Sequence, residues 1–279
     1  TRNHGNLTIA ADLVANGNNA IDSLSGGIAK IGGGTGGDRD LHGEGPEKGK
    51  AKTSSWDGGG GGNGGAGGAS SSGYGQAFGD IGIAHLIGGS GGGGGDYYAG
   101  GAGGGAIELV AHGDGTLTIA SGATISVNGA DTTSIERGGG GGAGGTIRLQ
   151  GDTIVNNGSL QAKGGGAYWA DQDGGGGRIA YHSDNTLTLG TRDVSGYRTG
   201  TVEIFGETRN DLAFSSGTLL INTSHGTWRH SGGHHGEGVI SSGTDGTTNY
   251  GVCTFTFDSI NLGAGLNVSF VGTKALVLK

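Results

Sequence analysis

Residues 106–129 read AIELVAHGDGTLTIASGATISVNG, and residues 145–165 read GTIRLQGDTIVNNGSLQAKGG. In both, Ile, Leu and Val fall on every second position within short runs, the period of a strand with one buried face. Inward positions are Ile107, Leu109, Leu117, Ile119, Ile125, Val127, Ile147, Leu149, Ile154 and Leu160. Outward positions are Glu108, Thr116, Thr118, Ser126, Arg148 and Gln161. Asn-Gly and Ser-Gly pairs close the runs and supply turn residues. The second stretch repeats the phrase of the first, and internal repeats of about 20 residues are typical of stacked architectures. An antiparallel sandwich and a parallel β-solenoid both accept short strands. The repeated phrase favours the solenoid, so the predicted class is all-β, a parallel β-helix.

The same strand grammar extends outward, from NLTIA at 6–10 to GRIAYHS at 177–183 and CTFTFDSINL at 253–262. No long amphipathic helix is legible. Between the strands lie glycine runs, and 73 of the 279 residues are Gly. Ordinary usage is about 7%. Interleaved aliphatic strands and a single proline, Pro46, argue against a disordered low-complexity chain. Chains of glycine can pack side by side in extended polyproline-II-like form because no Cβ intrudes, provided nearly every amide is satisfied. The expectation is one solenoid unit over 1–279. A glycine-rich insertion at 26–105 is packed on its flank in polyglycine-II-like layers.

Net charge is −8 and the basic residues are scattered, which argues against nucleic acid as a partner. Glycines interrupt every apolar run, so no membrane insertion is expected. The chain contains no Met, which reads as a removed leader or a segment of something longer. It closes on VGTKALVLK at 271–279, a strand pattern with no cap. Joined to TRNHGNLTI at 1–9, it continues the interior grammar in phase. Uncapped ends of a stack are templates for another copy. Leu7, Ile9, Leu276, Val277 and Leu278 are therefore the expected assembly residues, in head-to-tail contact with neighbouring units.

Chemical motifs are sparse. GEGPEKGKAK at 43–52 lacks the hydroxyl residue of a phosphate loop. The stretch SHGTWRHSGGHHGEG at 224–238 holds His225, His230, His234, His235 and Glu237. Its spacing matches no standard metal site, so no metal or other cofactor is assigned; His230, His234 and His235 are the residues a metal would use. Asp171 and Asp173 have acidic spacing but lack the downstream bidentate Glu of a calcium loop. Asn6, Asn157, Asn222 and Asn267 head N-x-S/T sequons that would carry glycans on an exported protein. Trp56, Tyr97, Tyr98, Tyr168 and Trp169 flank glycine runs and suit either a sugar or the cover of the glycine layer. The single Cys253 is in phase with Phe255 and Phe257 and reads as core.

GTWRHSGGHHGEGVISS at 226–242, YGVCTFTFDSINLGAGLNVSFVGTKALVLK at 250–279 and TRNHGNLTIAADLVANG at 1–17, followed by glycine runs, resemble modules of very long secreted bacterial surface proteins. Those are glycine-rich, repetitive and β-helical, of the adhesin or surface-fibre kind. The glycine runs also look like the polyglycine layers of some phage tail-tip adhesins and of springtail ice-binding proteins, though without a sustained G-x-x period. The resemblance implies an extracellular or cell-surface location and no catalytic residues. The reading is a non-enzymatic structural subunit of a self-assembling filament. The alternatives are a monomeric adhesin-like module for glycan or ice, then a β-helix polysaccharide-degrading enzyme.

Overall fold

The computed structural model describes residues 5–53, 56–69, 73–112, 115–132, 138–206, 211–231, 234–244, 249–255, 257 and 259–278. The protein is nearly all-β. One short 3-10 turn, Ala170–Gln172, is the only helical element among the described residues. The chain gathers into two compact units, 1–181 with 186–203, and 182–185 with 204–279.

The first unit carries two sheets. Its strands are β1 (Leu7–Ile9), β2 (Leu13–Val14), β3 (Ala106–Val110), β4 (Thr116–Ile119), β5 (Thr124–Ser126), β6 (Thr146–Asn156), β7 (Ser159–Gln161), β8 (Arg178–Thr188), β9 (Thr191–Asp193) and β10 (Thr201–Gly206). Residues 182–185 of β8 and 204–206 of β10 belong to the second unit. One sheet runs β1-β4-β6-β8-β10, with β3 beside the first half of β6. The other runs β2-β5-β7-β9. The described pairings are parallel and in register. Leu7 stands over Leu117 and Leu117 over Ile154; Leu13 stands over Ile125 and Ile125 over Leu160.

Aliphatic side chains thus stack on like side chains. Leu117, Ile119, Ile125, Ile147, Leu149, Ile154 and Leu160 lose all exposure, each worth about 1.5–3 kcal/mol. Ile107 and Leu109 stay half-buried. Ser126 departs from its expected outward place: it is buried, held in register between Val14 and Gln161. Across the outward face, Glu108 lies opposite Arg148, and their charges meet at 3.1 Å.

The glycine runs form a second kind of core. Residues 88–95 are hydrogen-bonded to six neighbouring segments. Gly89, Gly92 and Gly95 donate to Gly104, Gly101 and Tyr98, an antiparallel ladder. Ser90 and Gly93 donate to Gly62 and Gly59, while Gly91 and Gly94 donate to Glu44 and Leu41. In return the carbonyls of Gly89, Gly92 and Gly95 accept from Gly34, Gly37 and Asp40. Those of Gly91 and Gly94 accept from Gly49 and Lys52, and those of Ser90 and Gly93 from Ala143 and Gly140. The partner segment recurs every third residue.

Glycine is needed here for the missing side chain, not for unusual dihedrals. No residue of 88–95 has a positive φ. A Cβ on any of Gly91–Gly95 would come within 3 Å of a neighbouring backbone oxygen. Two buried polar side chains, Asn63 and Arg178, tie the runs to their neighbours. Asn63 Nδ2 donates to the carbonyls of Gly144 (2.7 Å) and Gly145 (3.0 Å). Arg178, 6% exposed, donates to the carbonyl of Phe78 and to Thr201, tying the 26–105 segment to β8.

The second unit mixes strand directions. It contains β11 (Asp211–Asn222), β12 (Thr227–His230), β13 (His235–Glu237), β14 (Val239–Thr244), β15 (Asn249–Phe255), β16 (Ser259–Val271) and β17 (Ala275–Leu278). One sheet runs β13-β12-β11-β16 and the other β14-β15-β17. β11 and β16 pair in parallel over their full length, with a bulge between Phe214 and Ser216. The core is Leu212, Phe214, Leu219, Ile221, Trp228, Cys253 and Phe255.

Candidate functional site

β1 and β2 are the edge strands of the two parallel sheets. Their pattern matches that of the inner strands but their burial does not. Leu7, Ile9 and Leu13 are half-buried, whereas Leu117, Ile119 and Ile125, directly beneath them in register, are fully buried. Side chains at the turns reinforce the stack. Asn6 Oδ1 accepts from Thr116 N–H at 2.9 Å and Asp12 Oδ1 from Thr124 N–H at 2.8 Å. Asn16 Oδ1 accepts from Asn128 N–H at 2.7 Å, and Asn128 Oδ1 accepts in turn from Lys163 N–H at 2.9 Å. This asparagine ladder passes from one layer to the next. Alternation of apolar residues could not reveal it; the recurring Asn-Gly at 16–17 and 128–129 was the available signal.

The other expected assembly residues lie in the second unit. β17 is the edge of its sheet, with Leu276 opposite Cys253, Val277 opposite Thr254 and Leu278 opposite Phe255. Leu276 and Leu278 pack against that unit's core. The junction of Lys279 with Thr1 lies outside the described residues.

The histidines sit among aromatic rings. His230 stacks on Phe214, with ring centroids 3.9 Å apart and planes 9° from parallel, and its Nε2 bonds the carbonyl of Ser216 at 2.8 Å. His234 lies 6.2 Å from the His230 ring, and His235 is edge-on to Phe205. Burial, then the Arg229 charge, pushes the His235 pKa down, and its Nε2 is buried without a hydrogen-bond partner. Among the described residues no three His, Cys, Asp or Glu side chains come together as metal ligands would.

Asp173 accepts from Ala167 N–H at 2.7 Å and Asp131 from Gly166 N–H at 2.6 Å. Burial, with Asp131 and Asp171 nearby, raises the Asp173 pKa against the pull of that hydrogen bond. These carboxylates cap a glycine run. Cys253 is fully buried, and burial raises its thiol pKa. Of the sequon residues, Asn6, Asn157 and Asn267 are exposed. Asn222 is half-buried and accepts from the N–H groups of Ser224 and His225. Asn157 borders a groove of about 570 Å³ with Thr124, Ser159 and Thr191 along one side.

The aromatic residues divide into two exposed pairs. Trp56 and Tyr97 have nearly parallel rings, 13° apart with centroids at 6.4 Å. Tyr168 and Trp169 meet edge-on at 82°. Tyr98 is half-buried. No described helix is long and apolar enough to cross a membrane. No family model, no curated protein and no solved structure matches the chain.

Proposed function

We propose that this chain is a structural module of an extracellular fibre, a stretch of parallel β-solenoid flanked by a polyglycine-II-like layer. The observation that carries the reading is the half-covered β1–β2 layer. Leu7, Ile9 and Leu13 present the same inward pattern as the fully buried residues beneath them. A further layer from another copy would bury them and bond the edge backbone, as in strand addition. Each added layer lengthens the stack by about 4.8 Å. Head-to-tail contact of this kind is heterologous, so growth is open and linear. The function is mechanical, with stiffness from two stacked sheets and no catalytic group required. It accords with the glycine-rich surface fibres that the sequence resembles.

The experiment is electron microscopy of the purified chain across a concentration series, beside Ile9→Asp. Wild-type fibres with a regular axial repeat, lost in the variant while its circular dichroism is unchanged, are the expected result. Discrete single-chain particles at every concentration would overturn the reading.

A further inference from the structure

We infer that the surface bearing Trp56 and Tyr97 is a binding site for a neutral sugar chain. The inference is independent of the fibre reading, because it concerns a loop tip of the glycine layer and not the sheet edges. Three separate segments converge there. One brings Arg39 and Asp40, a second Lys52 and Trp56, and a third Asp96 and Tyr97. Their backbones are joined directly: Asp96 N–H donates to the Trp56 carbonyl at 2.8 Å and Asp40 N–H to the Gly95 carbonyl at 3.2 Å. Lys52 Nζ pairs with Asp40 at 3.0 Å and also with Asp96. Asp40 has φ 68°, a left-handed conformation that Asp tolerates better than most residues. That unusual backbone lies within the constellation, and such positions cluster at functional sites.

The chemistry selects the ligand. A pyranose ring has one face of C–H groups and a rim of hydroxyls. The C–H face packs on an exposed aromatic plane, and the hydroxyls need hydrogen-bond donors and acceptors beside it. Trp56 is 50% exposed and Tyr97 49% exposed, and their planes share an orientation. A carboxylate has about four lone-pair sites, so Asp40 and Asp96 keep acceptor capacity beyond the Lys52 ion pair. The Lys52 ammonium supplies donors. Two carboxylates balance one lysine and one arginine, so the site has no net positive charge to attract a phosphate-bearing ligand. The charged rim disfavours a purely apolar one. Backbone hydrogen bonds of Asp40, Lys52 and Asp96 to Gly95, Gly94 and Trp56 hold these groups in place, so little ordering entropy is lost on binding. The edge-on Tyr168–Trp169 pair offers no shared plane and serves as the internal control.

Titration with cellohexaose, chitohexaose, laminarihexaose and xylohexaose, read by calorimetry and by tryptophan fluorescence, tests the site. At least one hexasaccharide is expected to bind with a dissociation constant of about 1 mM or tighter. Trp56→Ala and Tyr97→Ala are each expected to weaken it about tenfold or more, Trp56→Phe by less, and Trp169→Ala not at all. Circular dichroism checks that each variant is folded. Failure of the wild type to bind any of the four, or folded Trp56→Ala and Tyr97→Ala variants that bind as wild type does, overturns the inference. Fibre formation is not read in this experiment, so its outcome leaves the fibre proposal standing or falling separately.

Discussion

The stacked strands around Leu117 and the glycine run at 88–95 lie in the same unit and are equally devoid of solvent, yet they are built on opposite terms. In the first, backbone ladders set the spacing and aliphatic side chains fill the interior. In the second there is almost no side chain to bury, and the interior is backbone against backbone. Ordering glycine is entropically costly. Extended chains surrounded by six neighbours offset that cost by satisfying their amides on every side. The contrast teaches that a core can be specified by the absence of Cβ atoms as strictly as by the presence of methyl groups.

The sharpest way to break this comparison is one methyl group. Gly92→Ala places a Cβ against the Gly140 and Gly141 backbone, which has no flexible end to yield. We expect it to destabilise the first unit by more than about 4 kcal/mol, read as loss of the cooperative thermal transition. Leu117→Ala removes a methyl cluster from the other core and should cost about 2–5 kcal/mol, measured by urea unfolding. If the glycine substitution proves milder than the leucine one, the array is looser than its contacts imply.

Between the two cores stands Arg178. Its replacement by Met leaves the Phe78 carbonyl without this donor and should cost about 1–3 kcal/mol. Hydrogen exchange should then rise at 78–95 before it rises in β6. Gly122 is a glycine of the ordinary kind, at φ 85° with open space around its Cβ position. Gly122→Ala should cost only about 1 kcal/mol, from backbone strain alone, in the same unfolding assay.

We expect the second unit to respond to pH through His235. Burial and Arg229 depress its folded pKa, so the fold holds it neutral. The unfolded chain binds that proton once pH falls through about 6.5. Below that pH the unfolded state carries more protons, and stability declines as pH drops. Above about pH 7.5 both states are neutral and the contribution is flat. Fluorescence of the buried Trp228 during urea unfolding at about pH 7.5 and 5.5 reads the effect. His235→Leu should flatten it.

Much of the first sheet was legible because period-two alternation is local. Leu117, Ile119, Ile147 and Ile154 could be assigned inward from neighbours two residues away. Ser126 could not, since what covers it comes from other layers. Of the sugar-site residues, Trp56 and Tyr97 drew notice as aromatics beside glycine runs. Lys52 entered only as the end of 43–52, and nothing in the sequence joins it to Asp40 or Asp96. In 224–238 the histidines were numerous enough to suggest ligands but fitted no standard spacing, and the fold interleaves their rings with Phe214 and Phe205.

By itself, then, the sequence determined that this protein is built from short strands and glycine runs. Alternation and the lack of Cβ atoms are properties of neighbouring residues, and they constrain the backbone before any contact forms. Tertiary structure alone decided which glycine runs became neighbours and in which direction they pair. It also decided which strand each layer follows and which loop tips meet. A glycine run carries no side-chain label, so its partners are set by the packing around it and not by its own sequence.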